Sequence, residues 1–534
     1  MANRYWVTGG TGNWNSTTNW STASGGASGA SVPGSSDAAL LDASSGAGTV
    51  TLDISPTIQT LTCTGFTGTL AFGTNTISLN STGTIFTGAT TMTVTGTPQI
   101  ICTNTSATAR TISPTAVTES NTISFRITAG TGTFTITTSQ GVRDLDFTDG
   151  VNPTGYAGAL QGGNVNIYGN LKVSTGMTVV AGTGIFNFNA TSGTKTINTA
   201  GVTFDRPFTF NGVGGTFQLT SALTSGSTRA CTLTNGTLDL NGYTLTAGLF
   251  SSNNTGVRSI GFGSTGKIVL TSTTGTVLAM STATNFTYTG TSRIEVTASG
   301  AGRTITPVAT GAVESNAMSI YVTTGSDTIT VSGSARFLNF DLTGFTGTLT
   351  YASSSRYFGN LIFSSGMTLG AIGGSFTFAK TSGTQTITSA GKTIDTSLTI
   401  DGVGGTVSLQ DALSLTGTLT LTNGTLKLAA GTTSTVGMFA TSGTNPKFLL
   451  SSTPGTQATI SDASGTITVT YLTIQDSNAT GGAAWDATAS TNVNAGNNTG
   501  WLLPFNKGVY TSGFPYFVNK YGVTVTTYGV TATP

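Results

Sequence analysis

Much of the chain is written twice. RTISPTAVTESN from Arg110 returns as RTITPVATGAVESN from Arg303, at an offset of 193 residues. GNLKVSTGMT from Gly169 returns as GNLIFSSGMT from Gly359, TSGTKTINTAG from Thr191 as TSGTQTITSAG from Thr381, and NGVGGT from Asn211 as DGVGGT from Asp401, all at 190. Similar segments lead into both copies, TPQIICTNTSATART at Thr97 and TSRIEVTASGAGRT at Thr291. A third, NPKFLLSSTPGTQAT at Asn445, begins a block cut short near Gly500. A unit that recurs and then truncates without a change of texture belongs to an array that can end after any layer, as solenoids do.

Inside each copy, runs such as TFTITT, NVNIYG, IFNFNA and TFQLTS alternate apolar with polar residues over four to six positions, between Gly, Asn or Ser turns. That period of two is the mark of half-buried strands, and no helical period of useful length competes with it. A sandwich series would need separate cores and linkers, and no linker composition separates the copies. The expected fold is all-β, a right-handed parallel β-helix. Its organisation reads as a cap over residues 1–50, a solenoid over 51–500 and a closing segment over 501–534. The solenoid holds copies at about 97–290 and 291–444 and a truncated third at 445–500. At roughly 20 to 25 residues per coil and about 4.8 Å between layers, this gives on the order of 20 coils and a rod of about 100 Å.

Composition narrows the chemistry. Charged residues are 7% of the 534, the net charge is +1, and there is no histidine. The first two facts argue against a nucleic-acid partner, which needs clustered Lys and Arg. The third removes the commonest zinc ligand and every Ser-His or Cys-His dyad. No apolar run of 18 residues offers a membrane span, so no membrane insertion is expected. The start, MANRYWVTGG, carries no secretory signal pattern.

Three widely spaced cysteines suit neither a disulfide framework nor a zinc site. Aligning the copies sets Cys102 opposite Val296 and Leu450, Cys231 opposite Leu419, and Cys63 opposite Leu342, so each thiol is expected to be a buried, inert small hydrophobe. The best candidate for catalysis is RDLDFTDG, residues 143–150. Asp144 and Asp146, two apart on a strand, share a face, as paired glycosidase carboxylates can. With Asp149 they could instead hold calcium, although D-x-D-x-x-D-G misses the EF-hand spacing by one. The other copy sets Phe337 and Asn339 opposite the two aspartates, which favours solvated carboxylates of a coil face. Glu119 and Glu314 sit in matching ESN turns and read as turn formers. The GVGGT runs at Gly212 and Gly402 lack a phosphate-loop lysine and read as tight corners. No catalytic residue, metal or cofactor is assigned.

The two ends differ from the body. Trp6, Trp14 and Trp20 crowd the opening, RYWVTGGTGNWNSTTNWSTASGGASGASVPGSSDAALLDA, and are expected to cover the first coil, as Trp501 would at the other end. The W…GNW…NW…VP pattern resembles the opening of autotransporter-like β-helix proteins and of β-helical phage virion proteins. YLTIQDSNATGGAAWDATASTNVNAGNNTGW, residues 471–501, resembles the closing motif of such phage and surface β-helices. The resemblance, covering about 70 residues, implies a structural virion protein, a fibre, spike or capsid decoration assembled in the host cytoplasm. A homo-oligomer, with a trimer favoured, other virion proteins and a host surface glycan are the implied partners. The alternatives are a secreted adhesin or autotransporter passenger, and a polysaccharide-cleaving tailspike. Beyond Trp501, Phe505, Tyr510, Phe514, Tyr516, Phe517, Tyr521 and Tyr528 crowd a segment with only Lys507 and Lys520 as charges. Such aromatic surface suits attachment or oligomerisation.

Overall fold

A computed structural model describes residues 1–504 except 117, 138–139, 151–152 and 310–312. The described chain is all-β, with parallel sheets stacked as a β-solenoid of about 20 turns and four single-turn 3₁₀ segments. Strands are mostly two to five residues long because a Gly, Asn or Ser corner interrupts each alternating run. Successive turns lie 20 to 28 residues apart, as between Ser124 and Asp144 or between Asn253 and Ser281. Among the described residues, no helix is long and apolar enough to cross a membrane.

Alternation sends every second side chain inward. In the strand Phe208–Leu219, Phe208, Phe210, Phe217 and Leu219 are fully buried while Thr209 and Gln218 face outward. One hydrophobic cluster runs from Trp6 to Trp501. Each coil adds apolar side chains to rows shared with its neighbours, such as Phe188 stacked on Phe210 at 5.3 Å and Tyr357 on Phe378 at 4.9 Å. A fully buried Leu or Phe contributes about 1.5–3 kcal/mol, so stability accumulates with coil number. On the outer face, amides stack in register. Asn445 donates to Asn423 and Asn423 to Asp401, both at 2.8 Å.

The GVGGT runs are bends inside long strands, Phe208–Leu219 and Leu398–Leu409. There the backbone passes so close to the previous coil that a Cβ at Gly212 would sit 1.8 Å from the Ala190 carbonyl oxygen, and one at Gly402 1.9 Å from that of Lys380. Only glycine fits such a contact.

The ends of the described stack are aromatic. Trp6, Trp14 and Trp20 are fully buried, with Trp6 and Trp14 both edge-on to Trp20 at 5.3 and 4.8 Å. Trp20 begins the strand Trp20–Ser21, which pairs antiparallel with Ala2–Trp6, the one antiparallel pairing between strands among the described residues. This two-residue strand ends its sheet, leaving little edge for further pairing. The ladder already includes the first fifty residues, since Ala2–Trp6 also pairs in parallel with Asp37–Leu40. At the other end Trp501 packs edge-on to Trp485 at 4.9 Å and donates its indole N–H to Ser477.

Register corrects the alignment of the third block drawn from sequence. Gly424–Leu426 pairs with Lys447–Leu449 as Gly236–Leu238 pairs with Arg258–Ile260. The third block therefore matches the coil of Arg258, not that of Arg293, and Leu450 is half-buried rather than the counterpart of the fully buried Cys102. The other pairings of Cys102, Cys231 and Cys63, with Val296, Leu419 and Leu342, hold: all six side chains are completely buried.

Candidate functional site

Asp144 and Asp146 do share an outward face, on either side of the buried Leu145. They line a groove of about 430 Å³ with Gln99, Ser124, Arg126, Asn170 and Lys172. A second groove of about 360 Å³ adjoins it through Gln99, Ser124 and Asp144 and reaches Arg143. In a chain with so few charges, five of them meet here.

Both carboxylates are occupied. Asp144 accepts from the Ser124 hydroxyl at 2.7 Å on the preceding turn, and from the backbone N–H and side-chain amide of Asn170 at 2.7 and 2.8 Å on the next. Asn170 continues the chain by accepting from the Thr196 N–H at 2.8 Å. Asp146 accepts from the N–H and hydroxyl of Thr148 at 2.9 and 2.7 Å, and its other oxygen pairs with Arg126 Nε at 3.2 Å. Asp144 thereby links three successive coils, while Asp146 holds its own turn at Thr148 and reaches Arg126 on the preceding coil.

The second copy repeats this arrangement and corrects the sequence alignment. Phe125 pairs with Leu145 as Ile320 pairs with Phe340, so Asp144 corresponds to Asn339 and Asp146 to Asp341; neither corresponds to Phe337. Asn339 donates to Ser319 at 2.9 Å and accepts from the Asn360 N–H at 2.9 Å, while Asp341 accepts from the N–H and hydroxyl of Thr343. An amide thus makes, in the second copy, the inter-coil bonds that Asp144 makes in the first. Among the described residues, no three His, Cys, Asp or Glu side chains are placed to hold a metal ion.

The glutamates do more than shape turns. Glu119 and Glu314 begin matching 3₁₀ turns, and each reaches along the rod to another coil. Glu119 accepts from the Thr191 hydroxyl and N–H at 2.6 and 3.0 Å, 72 residues on, and Glu314 pairs with Lys380 at 3.0 Å, 66 residues on. Sequence showed the turn but not these struts.

Five buried cations were missed: Arg206, 4% exposed, and four that are still more enclosed. Arg110, Arg258, Arg303 and Lys447 are at most 2% exposed. Arg110, Arg258 and Lys447 open strands and Arg303 is second in Gly302–Thr306, each just after a Gly-, Ser- or Asn-rich loop, which is the signal that could have revealed them. Arg258 donates to the carbonyls of Ser252, Gly256, Thr282 and Thr284, and Lys447 to those of Gly443 and Asn445. Burial lowers the pKa of both cations, yet these charge-assisted bonds satisfy loop carbonyls that no ladder reaches. Glycine makes room for two of the guanidinium groups. A Cβ at Gly130 or Gly325, both at positive φ, would lie 2.3 Å from the side chain of Arg110 or Arg303.

Burial alone pushes the Cys63 thiol up to about 12 and raises that of Cys231; Cys102 also rises to about 12, with Arg110 opposing. At pH 8 the thiolate population falls on the order of a thousandfold, so iodoacetamide should leave all three cysteines unlabelled in the folded protein and label them in denaturant. Mass spectrometry checks this; native labelling would mean the core opens. Because the folded pKa is the higher one, the thiols' contribution is intact below about pH 8.5 and is lost as pH rises towards 12.

The attachment aromatics Phe505, Tyr510, Phe514, Tyr516, Phe517, Tyr521 and Tyr528 lie outside the described residues. Comparisons with protein families, with curated proteins and with solved structures found no match.

Proposed function

We propose that the protein is a non-catalytic structural rod, the fibre, spike or decoration of a phage particle, that holds a binding surface away from its attachment point. The observation that supports this most is the single core running from Trp6 to Trp501 through about 20 parallel turns. Stacking of this kind resists bending, because any bend opens a ladder of hydrogen bonds and a row of packed side chains together. The virion setting rests on the opening and closing motifs. In this reading the aromatic segment 505–534 joins the rod to its sister subunits, as a homotrimer, or to other virion proteins.

Electron microscopy of particles carrying the labelled chain should show a projecting rod of about 100 Å. Incubation with host surface polysaccharide, followed by sizing of the products, should show no shortening, and Asp144→Asn should behave as wild type. Chain shortening abolished by Asp144→Asn would replace the rod with a glycosidase, and a label confined to the outer surface of cells that carry no phage would make it an adhesin.

A further inference from the structure

We infer that the groove spanning Gln99 to Thr220 on the first copy is a binding site for an acidic polysaccharide, one that carries carboxylates along its chain. This does not depend on what carries the rod. Three cations face the two adjoining grooves, and their donors are largely free. Among the described residues, Lys172 Nζ and the Arg143 guanidinium have no hydrogen-bond or ion-pair partner, and Arg126 uses only Nε, towards Asp146. The two carboxylates have each taken three bonds from the protein. Lys172 stands in register beside Asp146 without forming an ion pair with it. Charge is therefore present in both signs, but the unfilled capacity is that of hydrogen-bond donors carrying positive charge. A ligand carboxylate satisfies those donors.

The other lining groups are Gln99, Asn170, Thr196, Asn198 and Thr220, neutral amides and hydroxyls that suit sugar hydroxyls. The long axis of the two grooves crosses successive coils, so an extended chain can lie along it.

The duplication supplies a built-in comparison. By register, the second copy has Tyr321 for Arg126, Leu338 for Arg143, Asn339 for Asp144 and Ile362 for Lys172. The solenoid is thus compatible with neutral residues at all four places, and coil stacking does not require the three cations of the first copy.

The test uses the full chain and the residues of its own second copy: Lys172→Ile, Arg143→Leu, and the two combined with Arg126→Tyr. Oligomers of galacturonate, alginate, hyaluronan and polysialate are titrated by calorimetry beside neutral dextran, at low and high salt. The expected result is binding of at least one carboxylated oligomer, weakened about tenfold or more by Lys172→Ile, weakened further in the triple variant, and reduced by salt, with dextran inert. Unchanged circular dichroism and melting of the variants assigns the loss to the site. Failure of all four acidic oligomers, equal binding of dextran, or binding indifferent to the triple variant overturns the inference. None of these outcomes touches the rod itself, which is judged by microscopy and by the absence of cleavage.

Discussion

Leu238→Asp is expected to unfold the coils around it, at a cost of about 4 kcal/mol or more. Leu238 is completely buried, with Phe217 on the preceding coil and Ile260 on the next. Truncating such a side chain to alanine already costs about 2–5 kcal/mol, and a carboxylate adds the penalty of burying an unpaired charge. A solenoid is a stack of nearest-neighbour interfaces, so the damage should be regional. Hydrogen exchange should show lost protection in the strands Phe208–Leu219, Ala230–Asp239 and Arg258–Gly261, with coils near the Trp6 end still protected. A melting and exchange profile identical to wild type would show that Leu238 does not belong to the core.

Asp327→Ala should cost about 3–5 kcal/mol, through a different cause. Arg303 and Asp327 form a two-pronged ion pair, Nε to Oδ2 at 2.8 Å and Nη2 to Oδ1 at 2.7 Å, with the side chains 0% and 2% exposed. Nη1 of Arg303 already lacks a partner. Removing the carboxylate leaves a buried guanidinium with nothing to balance it. The first copy shows what a replacement would need. Arg110, the counterpart of Arg303, has no carboxylate; it donates to the carbonyls of Asn104 and Ala129 and lies 5.9 and 5.4 Å from the Phe134 and Tyr156 ring centres. Ile329 and Phe345 stand at those ring positions in the second copy: Arg303 pairs with Ile329 as Arg110 pairs with Phe134, and Phe345 donates its backbone N–H to Leu342 as Tyr156 does to Phe147. A denaturant midpoint that does not move on Asp327→Ala would show that loop carbonyls or water take over the charge.

The candidate carboxylates show how far a sequence can be pushed. The alternation around Asp144 and Asp146 placed both on one outward face, and that is where they are. Their roles depended on Ser124, Asn170 and Arg126, which stand 20 to 26 residues away and become neighbours only once coil lengths are set. A separation of 24 residues likewise hid the pairing of Arg303 with Asp327, and one of 72 the reach of Glu119 to Thr191.

By itself the sequence determined the class of fold, the alternation of inward and outward residues, the duplication, and the apolar slots of Cys63, Cys102 and Cys231. These are local or repeated properties, and a period of two carries them. Only the tertiary structure decided which coil lies on which. The shared pattern R-x-L-x-F in RDLDF and RFLNF led to an alignment two residues out of register. In both copies two outward residues stand between inward ones, Arg143 and Asp144 between Val142 and Leu145, and Leu338 and Asn339 between Phe337 and Phe340, and alternation alone does not reveal this break in the period of two. Hydrogen-bond register fixes the alignment by setting Phe340 rather than Leu338 beside Leu361, as Leu145 sits beside Leu171. The buried cations were hidden for a related reason: a single Arg or Lys after a loop has the same sequence signature whether it faces water or a ring of carbonyls, and only the closing of the coil supplies that ring.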